Sequence, residues 1–157
     1  MTAIHVQVRA FSRDESEALL AKHHVGRVTF AFHDRMTFVL VNYIHSKEWI
    51  YARMETGPQL TALQHHQWAA LGVDEITGIY DWRSVTVHGS VQFLSGDKAS
   101  AGYRDYNSAL ELLRSAVPAI LTKDDPMPKR VQLLRIHVDE IEGRESRSSG
   151  ADALPRP

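Results

Sequence analysis

The stretch Trp49-Ile-Tyr-Ala-Arg-Met-Glu-Thr-Gly-Pro-Gln-Leu60 decides how the chain is read. Trp49 to Met54 is an alternating apolar run, the pattern of a strand. The pattern breaks at Glu55-Thr56-Gly57 and restarts as a helix with Pro58 at its first position, where proline's missing N–H costs nothing. Strand, short loop and helix N-terminus together make an anion pocket, because the free N–H groups of the first turn point outward and the helix dipole favours negative charge. Arg53, at the end of the strand, would add a bidentate fork for a phosphate, and Thr56 a hydroxyl. The bland account of the same residues is capping and solubility at an ordinary strand–helix junction. The rest of the chain has to decide between them.

Upstream, Met36 to Ile44 reads as a strand that is apolar on both faces, Phe38 and Leu40 against Val39 and Val41, and so belongs centrally in a sheet or barrel. Val25 to Phe32 precedes it across the tight turn His33-Asp34-Arg35, and His45-Ser46-Lys47-Glu48 leads on into Trp49. Three strands joined by short polar turns are antiparallel neighbours. Ser12-Arg13-Asp14-Glu15 is a capping box that opens a short helix to about His23. Ile4, Val6 and Val8 alternate as an edge strand.

Downstream, the helix from Pro58 ends near His66, and Trp68 to Ile76 is a strand. Asp81 to Leu94 is a longer one, with Val85, Val87, Val91 and Phe93 on one face and Ser84, Thr86, His88, Ser90 and Gln92 on the other. Gly89 in its interior predicts a bulge or the close approach of another backbone or ligand. The spacing of Ala99, Tyr103, Tyr106, Leu110, Leu113 and Val117 predicts a helix over about 98–116 that packs one face on the sheet. A proline-rich loop follows, then a strand from Val131 to Val138. The polar residues 145–157 are expected as a mobile tail after a single domain of residues 1–144. About six mostly antiparallel strands with three helices indicate an α+β chain built as a small barrel or strongly coiled sheet.

Composition removes whole classes of function. A formal charge of -1 on 157 residues, with both signs interspersed, leaves no nucleic-acid footprint. With no cysteine there is no disulfide framework, thiolate nucleophile or Cys-ligated metal. No leader and no bilayer-length apolar run is read, so a soluble cytoplasmic protein is expected, without membrane or nucleic-acid partners. The nine histidines include the adjacent pairs His23-His24 and His65-His66, but helix neighbours point about 100° apart and share no ligand site. No HExxH is present and no metal site is expected. GxGxxG, P-loop and GxSxG signatures are absent too.

What remains is Asn42-Tyr43 at the end of a strand, where a carboxamide offers both donor and acceptor, and Trp82 with Ser84 and Thr86 on one strand face. Cross-strand packing accounts for Trp82 by itself. Taken in order, Val25-Gly26-Arg27-Val28-Thr29-Phe30, Val41-Asn42-Tyr43, Ile50 to Gly57, Val73-Asp74-Glu75 and Trp82 to Val91 resemble the landmarks of the pyridoxamine 5′-phosphate oxidase-like flavin proteins, in particular the branch of the nitroimidazole-resistance-like proteins. Ile141-Glu142-Gly143-Arg144 is similar to the way such domains end. The resemblance covers about residues 12–144.

The resemblance implies a six-stranded antiparallel split β-barrel, a homodimer, and FMN bound in a groove between the subunits. It implies that Arg53 and Thr56 hold the FMN phosphate, with Gln59 standing where the family often has a lysine. Val41, Asn42 and Tyr43 would lie against the isoalloxazine, and Trp82 and Ser84 would reach the flavin or its ribityl chain from the second subunit. The function implied is a flavin-dependent oxidoreductase acting on a small-molecule redox substrate. The alternative is a non-catalytic barrel that binds flavin, haem or a deazaflavin. No residue is assigned as a catalytic acid or base, Tyr43 being the one candidate proton donor. The Arg-His pair that true pyridoxamine phosphate oxidases use for substrate is missing, which argues against vitamin B6 oxidation.

Overall fold

The computed structural model describes residues 3–150. Its elements in chain order are β1 (His5–Ala10), α1 (Arg13–Lys22), β2 (Val25–Phe32), β3 (Arg35–Ser46), β4 (Trp49–Met54), α2 (Pro58–His65), β5 (Trp68–Ile76), β6 (Trp82–Phe93), α3 (Tyr103–Ala116), β7 (Gln132–His137) and β8 (Glu140–Ser149). Six strands, β6-β5-β2-β3-β4-β7, close on themselves through a β6–β7 pairing, and every neighbouring pair is antiparallel. This is the six-stranded antiparallel barrel that the sequence leads one to expect. β8 and β1 extend the sheet beyond β6 as a wing.

Inward-pointing residues alternate along each strand as a barrel requires. Val28 and Phe30, Val41 and Tyr43, Ile50 and Ala52, Leu71 and Val73, Val87 and Val91 fill the interior together with Leu60 and Leu63 of α2, which plugs one end. A second apolar cluster lies outside the barrel. There Ala109 and Leu113 of α3 cover Tyr51, Leu133 and Ile120. α1 opens on the expected capping box, with the Ser12 side chain accepting from the Glu15 N–H and the Glu15 carboxylate from the Ser12 N–H.

Gly89 marks the point where β6 changes partners. Trp82 to His88 pairs with β8, whereas Val91 to Phe93 pairs with β7. A Cβ built at Gly89 would sit 1.6 Å from the carbonyl oxygen of His137. Of the two readings open in the sequence, the close approach of a backbone is the one realised.

Two expectations are corrected. The helix expected from about residue 98 begins at Tyr103, since the Ser95, Asp97 and Ser100 side chains take the N–H groups of Asp97, Ala99 and Gly102 and hold that segment in turns. The expected mobile tail begins too early, because residues 145–149 belong to β8. Its polar side chains have specific partners. The Ser146 hydroxyl donates to the Tyr80 carbonyl, the Ser148 N–H and hydroxyl donate to Asp81, and buried Glu145 faces Arg9, Arg83 and Arg147. Composition reads such a segment as solvated, whereas here it is the inner strand of the wing, between β6 and β1. Residues 151–157 lie outside the described part of the chain. No described helix is long and apolar enough to cross a membrane.

Candidate cofactor site

The barrel is closed but not uniformly laced. Along its whole length to Asn42, β3 pairs with β2, yet with β4 it pairs only over Tyr43–Ser46. From Met36 to Asn42 the other edge of β3 has no strand partner, so alternate residues direct unpaired backbone N–H and C=O groups into a cleft. Beyond the Tyr43–Ala52 pair the chain of β4 runs on through Arg53 and Met54, which pair with β7, into the loop Glu55–Gly57. On the outer face of β3, Phe38 and Leu40 are 58% and 50% exposed, in line with Met36 at 69%.

The loop ends in a helix start built as the sequence indicates. Pro58 is the first helical residue, and Gly57 caps it at φ 154°, ψ -170°, a conformation open essentially to glycine alone. No side chain caps the helix, so the N–H groups of its first turn stay available to an anion. Thr56 and Gln59 are exposed beside them. Open strand edge and uncapped helix start are thus connected through β4 and the loop Glu55–Gly57.

Arg53 sits elsewhere. Its side chain is buried on the α3 side of β4 and forked onto Asp125, with Nη1 2.5 Å from Oδ2 and Nη2 2.7 Å from Oδ1, and Nη1 also reaches the Arg130 carbonyl. Asp125 accepts further from the N–H groups of Leu121 and Met127. Both Arg53 terminal nitrogens are therefore spent on pinning the loop after α3. The expectation that this guanidinium lies open to a phosphate is corrected, and the anion-binding groups that remain are backbone N–H, Thr56 and Gln59. The sequence offers no signal for the pairing, because its partners are 72 residues apart.

Val41 and Tyr43 point into the barrel core, so they present only backbone to the cleft. The Tyr43 hydroxyl donates to the Leu20 carbonyl at 2.6 Å, and burial pushes its pKa above the ordinary tyrosine value. As a proton donor to a cofactor it is out of place. Asn42 lies on the outer face in register with Val25.

Trp82 and Ser84 occupy the outer face of β6, in register with Ile76 and Asp74 of β5. β2 and β5 separate β3 from β6, which sets Ser84 about 14 Å from Asn42 at the usual strand spacing. The Ser84 hydroxyl donates to Asp74 Oδ1 at 2.6 Å, and Arg27 holds the other oxygen of the same carboxylate. Burial alone would raise the Asp74 pKa, but these hydrogen bonds outweigh it and leave the group below its ordinary value. Arg27–Asp74–Ser84 is a polar tie across three strands that sequence reading missed, although Arg27, Asp74 and Ser84 each lie in one of the landmark segments. A depression of about 320 Å³ on this face is lined by His24, Val25, Arg27, Leu40, Gly72 and Asp74. One chain therefore carries two separated sets of site residues, the β3 cleft with Thr56 and Gln59, and the Trp82–Ser84 face.

The sequence profile described as pyridoxamine 5′-phosphate oxidase matches residues 12–145. No curated protein matches the chain. Among solved structures it is similar to a FAD-binding protein from Mesorhizobium loti, with 23% identity and a TM-score of 0.69 over 88% of this chain and 97% of that one. It is similar also to a candidate 5-nitroimidazole antibiotic resistance protein from Bacteroides thetaiotaomicron, with 14% identity and a TM-score of 0.71 over 100% and 96%. A third is the FAD and heme binding protein from Mycobacterium smegmatis, at 20% identity and a TM-score of 0.62 over 90% and 75%. At these identities the structural likeness speaks for the fold, and the profile, which spans the barrel from the α1 cap into β8, for the lineage: the chain belongs to the pyridoxamine 5′-phosphate oxidase family.

Proposed function

We propose that this protein binds FMN between two copies of the chain and acts as a flavin-dependent oxidoreductase on a small organic substrate, in the cytoplasm. The observation that carries the reading is the unpaired β3 edge beside the uncapped start of α2. A flavin needs both. Its ring system carries alternating donors and acceptors that a free strand edge can meet, and its phosphate suits a helix N-terminus. The residues present fit the group in this way, and the relatives named as flavin-binding support the choice.

When bound, the flavin supplies the two-electron chemistry, and the protein supplies position and hydrogen bonds. Backbone groups of Met36–Asn42 orient the ring and Asn42 adds a carboxamide. Thr56 and Gln59 take the phosphate together with the first-turn N–H groups. Phe38 and Leu40 exclude water. Trp82 and Ser84, too far from this cleft within one chain, come from the second copy. The outer face supports that assembly, since it exposes Val25, Phe38 and Leu40 around the Arg27–Asp74–Ser84 tie.

The test is an absorption spectrum of the purified protein before and after FMN addition and gel filtration. Retained flavin bands, with NAD(P)H turnover in the presence of an artificial acceptor, are the expected result. A Soret band would replace the reading with haem binding, retained flavin without turnover would leave a binder, and no retained chromophore would remove the cofactor. Gln59→Lys restores a cation at the helix start and is expected to tighten FMN binding about tenfold, a difference of about 1.4 kcal/mol. Fluorescence titration measures this, and the gain should shrink in high salt. Replacing both Phe38 and Leu40 with Asp is expected to give a monomer by sedimentation and to abolish flavin retention. A dimer that survives the change would place the interface elsewhere.

A further inference from the structure

The turn between β2 and β3 and the flank of α2 enclose a groove of about 720 Å³, within the size range of small-molecule sites. It includes neither Thr56, Gly57 and Gln59 nor any β3 residue, and shares only Pro58 with the helix start. Its body is apolar, made by Ala31, Phe32, Pro58 and Ala62, and the hydroxyl of Thr61 is already donated to the Gly57 carbonyl.

Three of the nine histidines, His33, His65 and His66, stand around it. Four of the other six histidines are engaged, His23 by Glu75, His24 by the Tyr43 carbonyl, His45 by the Lys47 carbonyl and His137 by Asp139, while His88 Nδ1 on β6 is buried without a partner among the described residues. The three imidazoles on the groove have no protein hydrogen-bond partner among the described residues, and the ring of His33 lies 4.5 Å from that of Phe32. No carboxylate lines the groove. A cation would therefore find no counter-charge there, whereas an anion finds imidazole N–H groups at the rim.

We propose that this groove binds a small organic acid, its apolar ring or chain lying on Phe32, Pro58 and Ala62 and its carboxylate or sulfonate accepting hydrogen bonds from His33 and His65 at the rim. The site is separate from the flavin cleft and does not depend on it. The probe is 8-anilinonaphthalene-1-sulfonate, an aromatic sulfonate that fluoresces in apolar surroundings, titrated into the full-length protein. One equivalent per chain is expected to bind. Ala62→Trp, which fills the groove, should weaken binding at least about tenfold, and the double variant His33→Ala/His65→Ala about three- to tenfold. Far-UV circular dichroism should stay unchanged, so the histidine variant decides the matter if the tryptophan variant does not fold. Unaltered binding in both, or competition between the probe and FMN for one site, would overturn the proposal. Probe binding that follows the groove variants in a protein that takes up no flavin would support it, and would sink only the cofactor reading.

Discussion

Asp125→Ala is expected to cost about 3–5 kcal/mol of folding stability, because it strands the buried Arg53 guanidinium without its counter-charge. In a chain of this size that lowers the melting temperature by about 6–20 °C. The Arg53 side chain is only 3% exposed and that of Asp125 only 1%, so water cannot take the lost partner's place. The N–H groups of Leu121 and Met127 lose their acceptor as well. The double variant Arg53→Met/Asp125→Leu removes both charges and should recover part of the loss, the two orphaned N–H groups keeping it from full recovery. Urea unfolding of the three proteins checks the cycle. A loss below about 1 kcal/mol in Asp125→Ala would mean that the pair is solvated, since exposed pairs are worth no more than that.

The pair also has a pH signature. Hydrogen bonds from Arg53 hold the Asp125 carboxyl well below its ordinary range, against the opposing push of burial, with help from the Leu121 and Met127 N–H groups. A carboxyl whose pKa is depressed by folding contributes stability that is present above its unfolded value, about 3.9, and is lost as the pH falls through the folded one. The wild-type advantage over Asp125→Ala should thus be constant around neutrality and shrink only in acid below about pH 4.

Gly89→Ala is the second large effect. The added methyl would stand 1.6 Å from the His137 carbonyl oxygen and 2.8 Å from its carbon. Those are backbone atoms at the end of β7, beside Asp139 whose N–H binds the His88 carbonyl, so no side-chain rotation relieves the clash. The β6–β7 pairing that closes the barrel, Val91 to Ile136 through Phe93 to Leu134, has to separate or shift. We expect a loss of about 3 kcal/mol or more, at or beyond the upper end for overpacking. Thermal unfolding measures it, and hydrogen exchange should show the β6 and β7 amides losing protection first. Stability within about 0.5 kcal/mol of wild type, the range of neutral surface changes, would contradict the packing described at Gly89.

The comparison of these two residues shows how far a sequence can be read. Gly89 announced itself, since a glycine inside an alternating valine strand has few local explanations, even if its partner at His137 was not visible. Arg53 is equally conspicuous, but its local sequence points to the wrong partner. Beside Thr56, Gly57 and Pro58 a guanidinium suggests a phosphate fork, yet the carboxylate that claims it lies far along the chain, in a loop with no periodicity to place it. The same holds for residues 145–149, polar in composition but fully partnered in β8.

The chain by itself determined the strands of the barrel, the capped start of α1, the α2 start at Pro58 and the absence of cysteine chemistry. Each of these follows from local periodicity, backbone conformational preference or plain composition, which act over a few residues. Only the tertiary structure decided which edge of β3 is left unpaired, where Arg53 spends its charge, and that Val41 and Tyr43 face inward while Asn42 faces out. It alone put Trp82 and Ser84 three strands from Asn42, and gathered His33, His65 and His66 around one groove. Those facts depend on closure and register between segments far apart in sequence, and no short stretch carries that information.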